Sequence, residues 1–176
     1  MPATKKFEAL THFIVHECRD NPTRLGSTRL NKALWFADMV AYKKTGKAIT
    51  GDKYVKRQHG PVPKHILAAV DKLKAKGAMT VTDPQYAYEP RQYISLTEPD
   101  VSALSEEELR MAKAAVDVMC QQTATAISDD THDIVWRAAR LGEEIPLKAS
   151  LAANRGEVTN DVIKWANASI KEISAR

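Results

Sequence analysis

The sequence predicts a mostly α-helical domain of the α+β class, a compact helical body with one small antiparallel β-ribbon after its third helix, an order that is winged-helix-like. Three observations point there. Apolar residues recur at spacings of three and four in five or six segments, the period of a helix with one buried face. Two short runs rich in β-formers, Ala78 to Thr82 and Gln92 to Leu96, are separated by turn residues. The 176 residues are 44% hydrophobic and 27% charged, a balance that supports a packed core burying roughly two-thirds of the unfolded surface.

The first helix is expected over Lys5 to Cys18, because Phe7, Leu10, Ile14 and Cys18 form one stripe and Asn21-Pro22 ends it. The second follows a Ser27 or Thr28 cap and runs to about Thr45, where Gly46 supplies a left-handed stop. Leu30, Ala33, Leu34, Ala37 and Ala41 make its main face, and Trp35, Met39 and Tyr42 add bulk on the other side. A helix apolar nearly all round is enclosed, so it is the central one. From Lys47 to Val62 there is little periodicity, and a structured loop is expected, with Lys53 to Arg57 at most a short strand.

Pro63 suits the first turn of a third helix whose stripe is Ile66, Val70 and Leu73, with Gly77 as its stop. The ribbon comes next, turning through Asp83-Pro84 and Glu89-Pro90. Ser105-Glu106-Glu107-Glu108 is a capping box that opens a fourth helix carrying Leu109, Ala112, Val116, Met119, Thr123 and Ile127. A fifth is expected from about Thr131 to Leu141, ending at Gly142, and a last one after Thr159 or Asn160. Residues 1–158 read as one domain, with residues 159–176 a C-terminal helix packed on it or extending it.

The composition excludes several classes. No apolar signal region follows Met1, and the most apolar stretch stops at Asp38 after Ala33 to Ala37, whereas a membrane span needs about 20 residues. A cytoplasmic protein is expected. Cys18 and Cys120 are too few for a disulfide framework or a thiolate zinc site, and both read as reduced, buried thiols. The net charge of +4 is unevenly spread. Between Lys43 and Lys76 ten basic residues face two acidic ones, a net +8, and from Thr97 to Ile145 eleven acidic face four basic, a net −7. Such a basic segment favours an acidic partner or a solvated face.

The sequence has no Gly-rich phosphate loop, no nucleophile elbow and no His-Glu-x-x-His helix. Catalysis, metal and cofactor are therefore not expected. His12 and His16 lie four apart, opposite the apolar stripe, which places them on a solvent face or interface rather than at a metal. Asp38, between Trp35 and Tyr42 on an enclosed helix, needs a hydrogen-bond partner, and Tyr42, Tyr54 or His59 could supply it. A structural contact outweighs a role in partner binding or proton transfer.

Nucleic acid fits less well. Val62 to Lys76 contains no Arg, Asn or Gln for bidentate base contacts, and the wing carries Arg91 against Asp83, Glu89, Glu98 and Asp100. The stretch Thr50 to Pro63, by contrast, has two prolines that restrict its backbone, and pre-organised segments lose less entropy on binding. Tyr54, Arg57, His59, Pro61, Pro63 and Lys64 are its candidate contacts; Trp35, Asp38, Tyr42 and Trp136 are candidates for either support or contact.

Lys32-Ala33-Leu34-Trp35-Phe36-Ala37-Asp38, Lys43-Lys44-Thr45-Gly46-Lys47, Ile49-Thr50-Gly51-Asp52-Lys53-Tyr54 and Gly60-Pro61-Val62-Pro63, in this order and spacing, resemble the SocA-like Panacea antitoxin domain. His132 to Trp136 and Gly142-Glu143-Glu144-Ile145-Pro146 resemble that family's C-terminal signature. The resemblance implies an antitoxin of a bacterial or prophage toxin–antitoxin pair that neutralises a cognate toxin protein by direct association. One member type acts instead as an adaptor to a cellular protease. The family has no established catalytic residues to carry over. A DNA-binding, winged-helix-like regulator is the alternative, and no membrane partner is expected.

Overall fold

Helix α1 (Lys5–Glu17) starts where the Thr4 hydroxyl accepts a hydrogen bond from the Phe7 amide at 3.1 Å. The same hydroxyl donates to the Thr50 carbonyl, which pins the helix start to a distant loop. The computed structural model describes residues 3–84, 86, 91–121 and 134–153. The expected stripe of Phe7, Leu10, Ile14 and Cys18 is buried, but so are Val15 on its flank and His12 on the opposite side. The placement of His12 on a solvent face or interface is thereby corrected: the ribbon crosses that face and encloses it.

Helix α2 (Ser27–Thr45) is the central element, packed against α1 and, further along the chain, against α4 (Glu106–Gln121). Its N-cap is Gly26 rather than Ser27 or Thr28, because the Ser27 hydroxyl is engaged with the Tyr93 hydroxyl at 2.9 Å. Gly46, at φ 74°, is the expected left-handed stop. Leu30, Ala33, Leu34 and Ala37 are at most 1% exposed, and a side chain such as Leu30 contributes about 1.5–3 kcal/mol by leaving water.

The expected loop is a β-hairpin. Strands β1 (Tyr54–Arg57) and β2 (Gly60–Pro63) pair antiparallel from Tyr54↔Pro63 to Arg57↔Gly60, across a turn at Gln58 and His59. A two-residue strand, β5 (Glu144–Ile145), pairs with the other side of β1, so the sheet order is β2-β1-β5. Pro63 ends β2 instead of entering a helix, and α3 (Ile66–Ala75) begins three residues later.

The register explains how prolines survive in a strand. Lys64 donates its amide to the Lys53 carbonyl, so positions 64, 62 and 60 face β1 while 61 and 63 face away. Both outward positions are prolines, which lack the N–H that an added strand would need.

Helix α3 buries Ile66, Ala69, Val70 and Leu73, and the ribbon of β3 (Met79–Thr82) and β4 (Gln92–Ser95) follows it as expected. The capping box holds: Ser105 donates its amide to the Glu108 carboxylate, and Glu108 donates its amide to the Ser105 hydroxyl. Helix α4 turns Met111, Ala112, Ala115, Val116 and Met119 inward. Thr123 and Ile127 lie outside the described residues. Helix α5 (Ile134–Ala138) ends before the expected Leu141, while its expected start at Thr131 lies outside the described residues, and α6 (Ser150–Ala153) follows β5. The helix expected after Thr159 or Asn160 also lies outside the described residues. No described helix is long and apolar enough to cross a membrane.

Two apolar clusters result. The larger unites α1 to α4 and the ribbon; the smaller joins Trp35, Tyr54 and Ile145, with Phe36, Trp136, Ala139 and Leu147 against them. The smaller cluster underlies the hairpin.

Candidate functional site

The hairpin stands on a buried polar hub. Asp38 is 0% exposed and accepts from the Thr50 amide at 2.9 Å, from the Thr50 hydroxyl, and from the Tyr54 hydroxyl at 2.8 Å. Burial pushes the Asp38 carboxyl above its ordinary pKa, and the bonds from Thr50 and Tyr54 offset only part of that. Burial, reinforced by the Asp38 charge, raises the Tyr54 phenol well above its own. Of the three partners expected for Asp38, Tyr54 alone fills the role, and Thr50 supplies the other two bonds.

Apolar and ionic contacts complete the support. The Trp35 and Tyr54 rings meet edge to face, with centroids 4.9 Å apart, a geometry favoured by the ring quadrupoles. Lys56 lies 3.9 Å from the centre of the Trp136 ring and donates to the Ala139 carbonyl, while the Trp136 indole N–H donates to the Arg57 carbonyl. At the base of the hairpin, Asp52 accepts from both the amide and Nδ1 of His65, tying the lead-in of β1 to the start of α3.

This arrangement divides the expected site residues. Trp35, Asp38, Tyr54, Pro61 and Pro63 are buried, Tyr42 and Trp136 are half-buried, and Arg57, His59 and Lys64 are exposed. The expectation that Tyr54 offers its ring to a partner is corrected: at 1% exposure it belongs to the core, held there by Trp35 and Asp38. Pro61 and Pro63 are likewise buried, each keeping only a face on a cavity beside the hairpin.

Folding also pairs four of the ten cations of the basic stretch with carboxylates. Lys44 pairs with Glu107, Lys53 with Glu144, and Lys72 and Lys76 both with Glu8. The positive segment folds against carboxylates from α1, α4 and β5, which sequence distance concealed. Arg57 and Lys64 have no carboxylate partner among the described residues, and both are exposed.

These two cations border a groove of about 580 Å³ between the hairpin, α3, the ribbon and the start of α2, whose walls include Val55, Val62, Leu67 and Tyr93. It adjoins a recess of about 380 Å³ beside Arg57, His59, Pro61 and Leu141. Leu67 and Leu141 are 68% and 71% exposed. Sequence reasoning missed both. Leu67 had a signal, being an apolar side chain off the buried stripe of α3.

His12 and His16 converge on one hydroxyl. Their rings share the Ser95 hydroxyl at 3.0 and 3.2 Å, and His16 faces Glu98 at 3.2 Å. Among the described residues no three His, Cys, Asp or Glu side chains gather as a metal site. Cys18 is buried, as expected.

Residues 30–137 match the model of a family described as antitoxin SocA-like, Panacea domain. No curated protein and no solved structure matches the chain.

Proposed function

The chain belongs to the antitoxin SocA-like Panacea domain family, and from that membership we propose that it neutralises a cognate protein toxin by direct association in the cytoplasm, as a binding protein rather than an enzyme. The toxin is the product of an adjacent gene in a bacterial or prophage pair. One observation carries the placement of the contact: the Tyr54–Lys64 hairpin is anchored from beneath by Asp38, Tyr54 and Trp35 while its exposed side chains, Arg57, His59 and Lys64, point away from that support. A pre-organised surface loses little entropy on binding. Arg57 and Lys64, which have no carboxylate partner among the described residues, speed encounter with an acidic partner, and short-range contacts slow its release.

The DNA-binding alternative has less behind it. Of the lysines on α3 that it would use, Lys72 is committed to Glu8, and Arg91 of the ribbon is committed to Asp83.

Co-expression with the adjacent open reading frame tests the reading. A neighbour that is toxic alone and harmless with this chain supports it; a neighbour that is harmless alone, or toxic in both cases, overturns it. Rescue that persists in protease-deficient cells identifies inhibition by binding, whereas rescue lost there identifies delivery to a protease. His59→Ala should weaken rescue at unchanged stability. Tyr54→Ala should unfold the domain instead, because deleting a buried aromatic side chain costs about 3–5 kcal/mol.

A further inference from the structure

We infer that the groove between the hairpin, α3 and the start of α2 is the docking site for an acidic segment of the toxin that carries an apolar anchor residue, an assignment that rests on the toxin-binding reading above. Its walls combine two features. Val55, Val62 and Leu67 make an apolar lining, and Leu67 is 68% exposed although it sits on a helix that buries its other large apolar side chains. Arg57 and Lys64 border the same groove without a carboxylate partner among the described residues. The one carboxylate in the wall, Glu144, is already held by Lys53 at 2.8 Å. A ligand that satisfies both features has carboxylates beside an apolar side chain.

The alternatives fit less of the surface. A strand added to β2 would need N–H donors at positions 61 and 63, and both are prolines. Recognition therefore runs through side chains. A nucleic acid would meet Arg57 and Lys64 with phosphates, but it would leave Val55, Val62 and Leu67 uncovered. The one aromatic ring in the wall, Tyr93, is 6% exposed and offers no platform for stacking a base.

The test measures affinity of the full chain for the purified product of the adjacent gene, with melting curves for every variant. Leu67→Asp and Arg57→Glu should each weaken binding about tenfold or more with melting unchanged, since a buried anchor and a central arginine carry such energies. Lys47→Glu changes an exposed cation beyond the far end of α2, roughly 28 Å from the start of that helix at about 1.5 Å per residue and outside the groove lining, and should alter affinity less than twofold. Reversing one toxin carboxylate to lysine should restore binding to Arg57→Glu. If the wild type binds and both groove variants bind equally well, the groove assignment is overturned while the antitoxin reading stands. If the wild type fails to bind or to rescue, that reading itself fails. Two further outcomes overturn the assignment: loss by Arg57→Glu of a duplex spanning the upstream region with toxin affinity intact, and a wild-type dimer that Leu67→Asp makes monomeric with toxin affinity intact.

Discussion

The hydroxyl of Tyr54 donates to Oδ2 of Asp38 across 2.8 Å, joining the first strand of the hairpin to the central helix inside a region closed to solvent. Tyr54→Phe removes one donor from that carboxylate and should cost about 1–2 kcal/mol. Asp38→Ala strands both the Tyr54 hydroxyl and the Thr50 amide, at about 1–3 kcal/mol for each buried group left unsatisfied, and should cost more. Urea denaturation at constant m-value checks the order. Equal losses in the two variants would show that the carboxylate is not the hub.

Stability should fall as the pH drops below about 6.5. Burial lowers the His12 pKa, reinforced by His16, and outweighs the opposing pull of the Thr97 and Ala78 backbone and of Glu98. A group with a depressed folded pKa and a cationic acid form contributes fully above its unfolded value and loses that contribution as the pH falls through the folded one. Asp38 acts in the opposite sense. Its raised pKa favours the folded state below the unfolded value of about 3.9 and withdraws that preference as the pH rises through the folded value. Melting temperatures of the wild type and His12→Gln, compared from pH 7.5 to 5.5, isolate the histidine: the wild type should lose more. Parallel curves would remove His12 as the cause.

Replacing both outward-facing prolines, Pro61→Ala with Pro63→Ala, should restore two N–H donors to the side of β2 turned away from β1. Edge strands with unpaired donors recruit other chains, so the double variant should self-associate at concentrations where the wild type does not. Light scattering after size exclusion measures this. A variant that keeps the wild-type mass at every concentration would mean that the prolines do not protect the edge.

Much of this fold is legible in the chain itself, and what is legible is local. The stripe of α1, the glycine stop at Gly46, the capping box at Ser105 and Glu108, and the two strands of the ribbon follow from residues within a turn or two of one another. The family resemblance is legible for the same reason, since its motifs are short runs in a fixed order, and residues 30–137 match the family. The first sheet is different. Its strands are four, four and two residues long, and the third arrives from Glu144 and Ile145, too short for an alternation to register and too distant for a window to include. The candidate surface depends on the same remote contacts. Asp38 and Thr50 draw Tyr54 inward, Glu8, Glu107 and Glu144 neutralise lysines that look free in the sequence, and the ribbon covers His12. Local periodicity determined where helices form; which side chains remain available to a partner was decided by residues brought together from far along the chain.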